Sequence, residues 1–166
     1  MNMILARALS PSCVKVPLEA TDKNGIITEL VDSLHENGFL PDRDKTLGEI
    51  FDREHIRSTG VGRGIAIPHG RSASVHDLVL AVGVPRAPVE FDSVDGNPVS
   101  IVVLLVSPAR QTGAHIQAMA TISRMMLDLE FREALERASS AQAVYELFAA
   151  GENPGVGHGQ RQMAVA

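Results

Sequence analysis

Apolar positions in the first third of the chain fall at helical spacing. Ile26, Ile27, Leu30, Val31 and Leu34 recur three and four residues apart, the period of one buried helix face. Thr21 or Asp22 stands ahead of them as an N-cap, and Asn37 and Gly38 close the run. A second helix begins after Pro41, carries Leu47, Ile50 and Phe51, and ends between Arg53 and Arg57. Ahead of both, residues 1–20 read as a strand or extended lead-in, with Val14 and Val16 alternating with Cys13 and Lys15 before Pro17.

The period then changes. Gly64–His69 (GIAIPH) reads as a short strand broken by Pro68, and Asp77–Pro85 as a second strand. Val99–Val106 (VSIVVLLV) is nearly continuous in aliphatic residues, as a strand buried on both faces must be. Such a strand needs cover on both sides of its sheet. After Pro108 helical spacing returns: Ile116, Met119, Ile122 and Met126 share one face of a helix spanning 114–129, followed by helices over 131–137 and 141–149. Helices, then strands, then helices predict an α/β fold, a three-layer-like sandwich of a mixed β-sheet flanked by helices. Residues 1–150 form the domain. The Gly-rich segment 151–166 lacks an apolar period and reads as a flexible tail.

Composition narrows the functional classes. A chain of 166 residues fits one domain, since domains commonly run to ~100–200 residues. A net charge of −5 gives no summed positive field for non-specific nucleic-acid binding. With no Trp and one Tyr there is little on which bases could stack. The single cysteine, Cys13, excludes an intramolecular disulfide and suits a reducing cytosol. No apolar run reaches the ~18–20 residues of a membrane span. The N-terminal stretch, with Arg7 inside it, is a poor signal peptide. The expectation is a soluble cytoplasmic protein without direct membrane insertion.

Within this acidic chain, Arg53, Arg57, Arg63 and Arg71 face one acid, Glu54, giving +3 between Arg53 and Arg71 with histidines neutral. A solvated cationic loop is the plain reading. An anion site, with guanidinium forks and glycine backbone N–H groups around phosphate oxygens, is the functional one. Six histidines are present, at 35, 55, 69, 76, 115 and 158, none at HExxH spacing, so no metal site is expected. The TGVGRG run of Thr59–Gly64 lacks the third glycine of a dinucleotide fingerprint and the GK[ST] of a P-loop, so no nucleotide cofactor is expected. It reads as a tight bend. His69 lies between Pro68, which restricts the backbone, and Gly70, which permits a sharp turn. By local pattern alone, a turn histidine without function is the commoner outcome. His115 opens the long helix, where the dipole disfavours a cationic imidazole. His35 sits at a helix end and reads as a cap.

Together, STGVGRGIAIPHGR (Ser58–Arg71) resembles the phosphohistidine motif of enzyme IIA of the phosphoenolpyruvate-dependent sugar phosphotransferase system (PTS), fructose/mannitol class, which includes nitrogen-regulatory IIA. The similarity continues through Pro88–Pro108 and Gln111–Met126 and covers about residues 10–150. It implies a mixed sheet between helices and a phosphotransferase that needs no cofactor. His69 would accept phosphate from phospho-HPr, or its nitrogen-branch paralogue. It would pass it to a IIB partner or keep it as a switch for binding a regulatory target protein. By matching position, Arg53 and His115 correspond to the active-site arginine and second histidine, both also phosphate-binding, and Thr59 to the threonine beside the site. Arg63 and Arg71 are alternatives for the role of Arg53. Val61 and Ile67 are candidates for the docking surface. A neutral imidazole, with an unperturbed pKa of ~6.5, can attack phosphorus directly and form a covalent intermediate.

Overall fold

The structure, a computed structural model, describes residues 3–152. Six strands form one mixed sheet: β1 (Leu9–Leu18), β2 (Gly60–Gly62), β3 (Ile65–Ala66), β4 (His69–Ser72), β5 (Val79–Pro85) and β6 (Ile101–Pro108). Their order is β1-β5-β6-β3-β2, with β4 also pairing β6. Six helices flank the sheet: α1 (Ile4–Ala8), α2 (Lys23–Glu36), α3 (Arg43–Ile56), α4 (Thr112–Met125), α5 (Leu129–Arg137) and α6 (Ala141–Glu152).

Strand β6 organises the layers, and every residue in it is buried. Alternation sends Ile101, Val103 and Leu105 to one face, where they pack with Ala118 and Ile122 of α4, Leu135 of α5, and Val144 and Phe148 of α6. Val102, Leu104 and Val106 go to the other, against Ile26, Leu30 and Leu34 of α2 and Ile50 of α3. The three-layer α/β sandwich expected from VSIVVLLV is therefore the fold.

Strands β3 and β4 lie along the same side of β6. Both run parallel to it, with Ile65 opposite Ile101 and His69 opposite Leu105, so the register is unbroken across the gap. Pro68 has no N–H to give the ladder, yet its carbonyl still accepts from Leu105 N at 3.0 Å. Proline therefore interrupts the strand without ending it. His69 opens β4 instead of closing a strand, a correction to the expectation. Gly70 makes the next step possible. A Cβ there would lie 3.0 Å from Ile50 Cγ1, so glycine lets α3 approach β4.

The bend over Thr59–Gly64 is a β2–β3 hairpin turn, with Gly62, Arg63 and Gly64 all at positive φ (95°, 60° and 77°). Asp22 is the cap of α2, accepting from Gly25 N at 3.0 Å. The long helix α4 stops at Met125 because Asp128 starts α5, accepting from Glu130 N and Phe131 N. The lead-in hides the short helix α1. Helix α6 extends to Glu152, two residues into the segment read as a tail. Residues 153–166 of that segment, with His158, lie outside the described residues.

Candidate active site

Two histidines from distant parts of the chain meet at the edge where β4 leaves Pro68 and α4 begins. The rings of His69 and His115 have centroids 5.4 Å apart and are tilted by 54°. His69 Nδ1 lies 2.8 Å from the carbonyl oxygen of Ile67. A carbonyl only accepts, so Nδ1 carries the proton and Nε2 keeps its lone pair. The sequence left the tautomer open, and this one contact fixes it.

His115 stands in the first turn of α4, and its Nδ1 lies 2.5 Å from Ser107 Oγ on β6. Ser107 is fully buried, and His115 is its hydroxyl's partner. The hydroxyl satisfies its own donor by giving its proton to Nδ1, which leaves the proton of His115 on Nε2. One imidazole thus presents a lone pair and its neighbour an N–H.

Burial favours the neutral form of both rings. Burial lowers the pKa of His69 below its ordinary 6.5, and the Arg53 cation adds to this, opposed by the Ile67 hydrogen bond and by Glu54. Burial also lowers His115, helped by repulsion from His69 and Arg71. The two arginines flank the pair. Arg53, half-buried near the end of α3, donates from Nη1 to the carbonyl of Arg57 at 2.9 Å. Arg71 on β4 donates to the Ala109 carbonyl at 3.3 Å and to Thr112 Oγ1 at the start of α4. Arg53 acts on His69 and Arg71 on His115, while Arg63 sits on the exposed β2–β3 turn, its backbone N–H bonded to Asp95.

Thr59 lies close behind this site but is engaged elsewhere. It is buried, its hydroxyl donates to Glu54 Oε2 at 2.7 Å, and its N–H donates to Oε1 at 2.9 Å. It has no proton free for a phosphate oxygen. Of the docking candidates, Val61 is 53% exposed, while Ile67 is buried at 1% and cannot touch a partner. Ile116, the chain neighbour of His115, is 62% exposed. His35, in the last turn of α2, has Nδ1 2.7 Å from the carbonyl of Leu40, so it ties down the loop after the helix and does not cap a helix carbonyl. Ser107 and Glu54 were missed by the sequence reading. For Ser107 a signal existed, since it is the polar residue near the end of the doubly buried strand β6. Among the described residues, no three or more His, Cys, Asp or Glu cluster as metal ligands, and no helix is long and apolar enough to cross a membrane.

Comparison with known proteins decides the family. Residues 7–151 match the model of the phosphoenolpyruvate-dependent sugar phosphotransferase system, EIIA 2. The chain belongs to this EIIA 2 family. It is a PTS phosphocarrier of the class that the motif around His69 suggested. The chain is 32% identical over 145 residues to the fructose-specific EIIABC component of Bacillus subtilis, with 87% of this chain spanning 23% of that much longer protein. It is also 32% identical to the nitrogen regulatory protein of Pseudomonas aeruginosa, over 86% of this EIIA chain and 93% of the relative. The crystal structure of nitrogen regulatory protein IIA-Ntr from Neisseria meningitidis superposes with a TM-score of 0.80 at 32% identity, covering 86% of this chain and 97% of that one.

Proposed function

We propose that His69 is the phosphoryl acceptor, loaded by phospho-HPr or its nitrogen-branch counterpart and discharged to a IIB partner. The observation that carries this reading is the Ile67 carbonyl on Nδ1, which dedicates Nε2 to nucleophilic attack. In the transfer, the Nε2 lone pair forms a bond to phosphorus while the phosphorus–nitrogen bond of the donor phosphohistidine breaks. The donor nitrogen takes back its electron pair. No oxidant, metal or nucleotide enters the balance. Such a step demands positioning and charge stabilisation more than covalent help.

His115 serves the phosphoryl group as a donor through Nε2–H. Arg53 and Arg71 supply guanidinium donors from the two flanks; Arg53 spends one N–H on the helix end and keeps others free. Ile116, next to His115 in the chain and 62% exposed, offers an apolar docking point beside the histidines. Thr59 supports the loop instead of contacting phosphate.

The test is phosphate uptake from phosphoenolpyruvate, enzyme I and either carrier. Acid-labile label is expected on wild type and not on His69→Ala. Label that persists in His69→Ala would overturn the assignment, as would no label on wild type with either carrier.

The extended match to nitrogen regulatory proteins, over most of both chains, favours a second reading. In it, phospho-His69 is a switch that alters binding to a regulatory target protein. A phosphoryl group adds negative charge of about −1.5 to −2 near neutral pH, enough to invert a cationic rim. Discharge of labelled protein to candidate IIB partners supports transport. Label retained in their presence supports regulation.

A further inference from the structure

We propose that Glu54, anchored by Lys23, is a positioning residue that fixes the tautomer of His69 through Thr59 and Ile67; the proposal rests on His69 being the phosphoryl acceptor. The Glu54 side chain is 5% exposed. A carboxylate so placed is costly unless every lone pair finds a donor. Lys23 Nζ from the first turn of α2 lies 2.9 Å from Oε1. Thr59 gives Oε1 its N–H at 2.9 Å and Oε2 its hydroxyl proton at 2.7 Å.

From Thr59 the connection runs directly to the nucleophile. The Thr59 carbonyl accepts from Ile67 N at 3.0 Å, and the Ile67 carbonyl accepts from His69 Nδ1 at 2.8 Å. On the far side of Ile67, the Pro68 carbonyl is pinned by Leu105 N. The peptide units around Ile67 are therefore held from both ends, and the orientation of its carbonyl selects which ring nitrogen of His69 holds the proton. Glu54 is the charged group to which Thr59 itself is bonded.

The anchor at Lys23 is itself well fixed. Its ammonium sits 5.2 Å from the ring centroid of Phe91, 3.4 Å from the Phe91 carbonyl and 3.5 Å from Asp92. Ser58 Oγ donates to the same Phe91 carbonyl at 2.6 Å. The start of α2, the end of α3 and the loop carrying Phe91 and Asp92 thus converge on Glu54. Loss of that carboxylate would free the Thr59 loop while leaving both histidines and both flanking arginines in place.

The experiment compares Glu54→Ala, Lys23→Met, Thr59→Val and Thr59→Ser in the full chain. One readout is the ring-nitrogen tautomer of unphosphorylated His69 by NMR. The other is single-turnover phosphate uptake from a phosphorylated carrier. Wild type is expected to show a protonated Nδ1 and a bare Nε2. Glu54→Ala and Thr59→Val should admit the second tautomer and slow uptake by about tenfold (~1.4 kcal/mol of barrier), with the donor KM nearly unchanged. Lys23→Met should do the same more weakly, and Thr59→Ser, which keeps the hydroxyl, should restore the wild-type tautomer. Folded Glu54→Ala and Thr59→Val proteins with wild-type tautomer and rate would overturn the proposal. If Glu54→Ala fails to fold, the Thr59→Val and Thr59→Ser pair decides alone. If wild type takes no phosphate, the phosphocarrier role of His69 falls, and the tautomer comparison still decides the role of Glu54.

Discussion

In the proposed transfer Ser107 touches His115 and not the phosphoryl group, and this makes a quantitative prediction. His115→Ala removes the Nε2–H proposed to donate to the phosphoryl group. Hydrogen bonds to charged groups contribute ~1.5–3 kcal/mol, and ~1.36 kcal/mol is a factor of ten in rate. Uptake on His69 should therefore slow by about tenfold to a hundredfold. Ser107→Ala leaves the imidazole but frees its Nδ1, which lies 2.5 Å from the serine oxygen. The loss of one neutral hydrogen bond is ~1 kcal/mol, a slowing of about fivefold. Because the serine works through the histidine, adding Ser107→Ala to His115→Ala should cost nothing further, a coupling of ~1 kcal/mol in the double-mutant cycle. The assay is rapid-quench single-turnover transfer at saturating phosphorylated carrier, with folding checked by thermal melting. Wild-type rates in His115→Ala would remove His115 from the phosphoryl site. A fivefold effect of Ser107→Ala that persists without His115 would refute the serine's action through the histidine.

Both imidazoles have folded pKa values below the ordinary 6.5, so below that pH the unfolded chain binds protons first and stability falls as pH drops. NMR titration should give both midpoints under 6.5, and a midpoint above it for His69 would contradict the burial argument. Arg53→Ala should slow transfer by about tenfold, the weight of one charge-assisted hydrogen bond. Its melting temperature should change little because its bond lies at a helix end, and an unchanged single-turnover rate would reject its role. Glu152 is 7% exposed and accepts from Leu5 N and Ala6 N, each at 2.9 Å. Glu152→Gln removes a charged cap contributing ~1–2 kcal/mol, so the melting temperature should fall by about 2–8 °C, and no fall would contradict the capping.

Local signals made much of the fold legible. Helices α2 and α3 show their apolar period, and α2 shows its aspartate cap. Strand β6 shows unbroken aliphatic character because it is buried on both faces. Helix α1 left no such trace. Five residues long, it is held by a carboxylate 147 positions away. The continuation of the strand past Pro68 was hidden for a related reason, since the ladder survives through a carbonyl that no residue pattern reveals. At the site, Pro68-His69-Gly70 and the cationic run marked the region, and the likeness to the IIA motif named its chemistry. What the sequence could not display was mutual placement. Glu54 reads only as the one acid in a cationic stretch until the fold buries it against Thr59. Ile67 reads as a surface residue beside a turn until its side chain is packed away and its carbonyl meets His69.

The central claim is that Nε2 of His69 is the nucleophile because Nδ1 is held by the Ile67 carbonyl. Phosphorus–nitrogen correlation NMR on the phosphorylated, 15N-labelled protein tests it directly. A single phosphohistidine is expected, with phosphorus bonded to Nε2 of His69 and a proton retained on Nδ1. Phosphorus on Nδ1 of His69, or on any other residue, would contradict it.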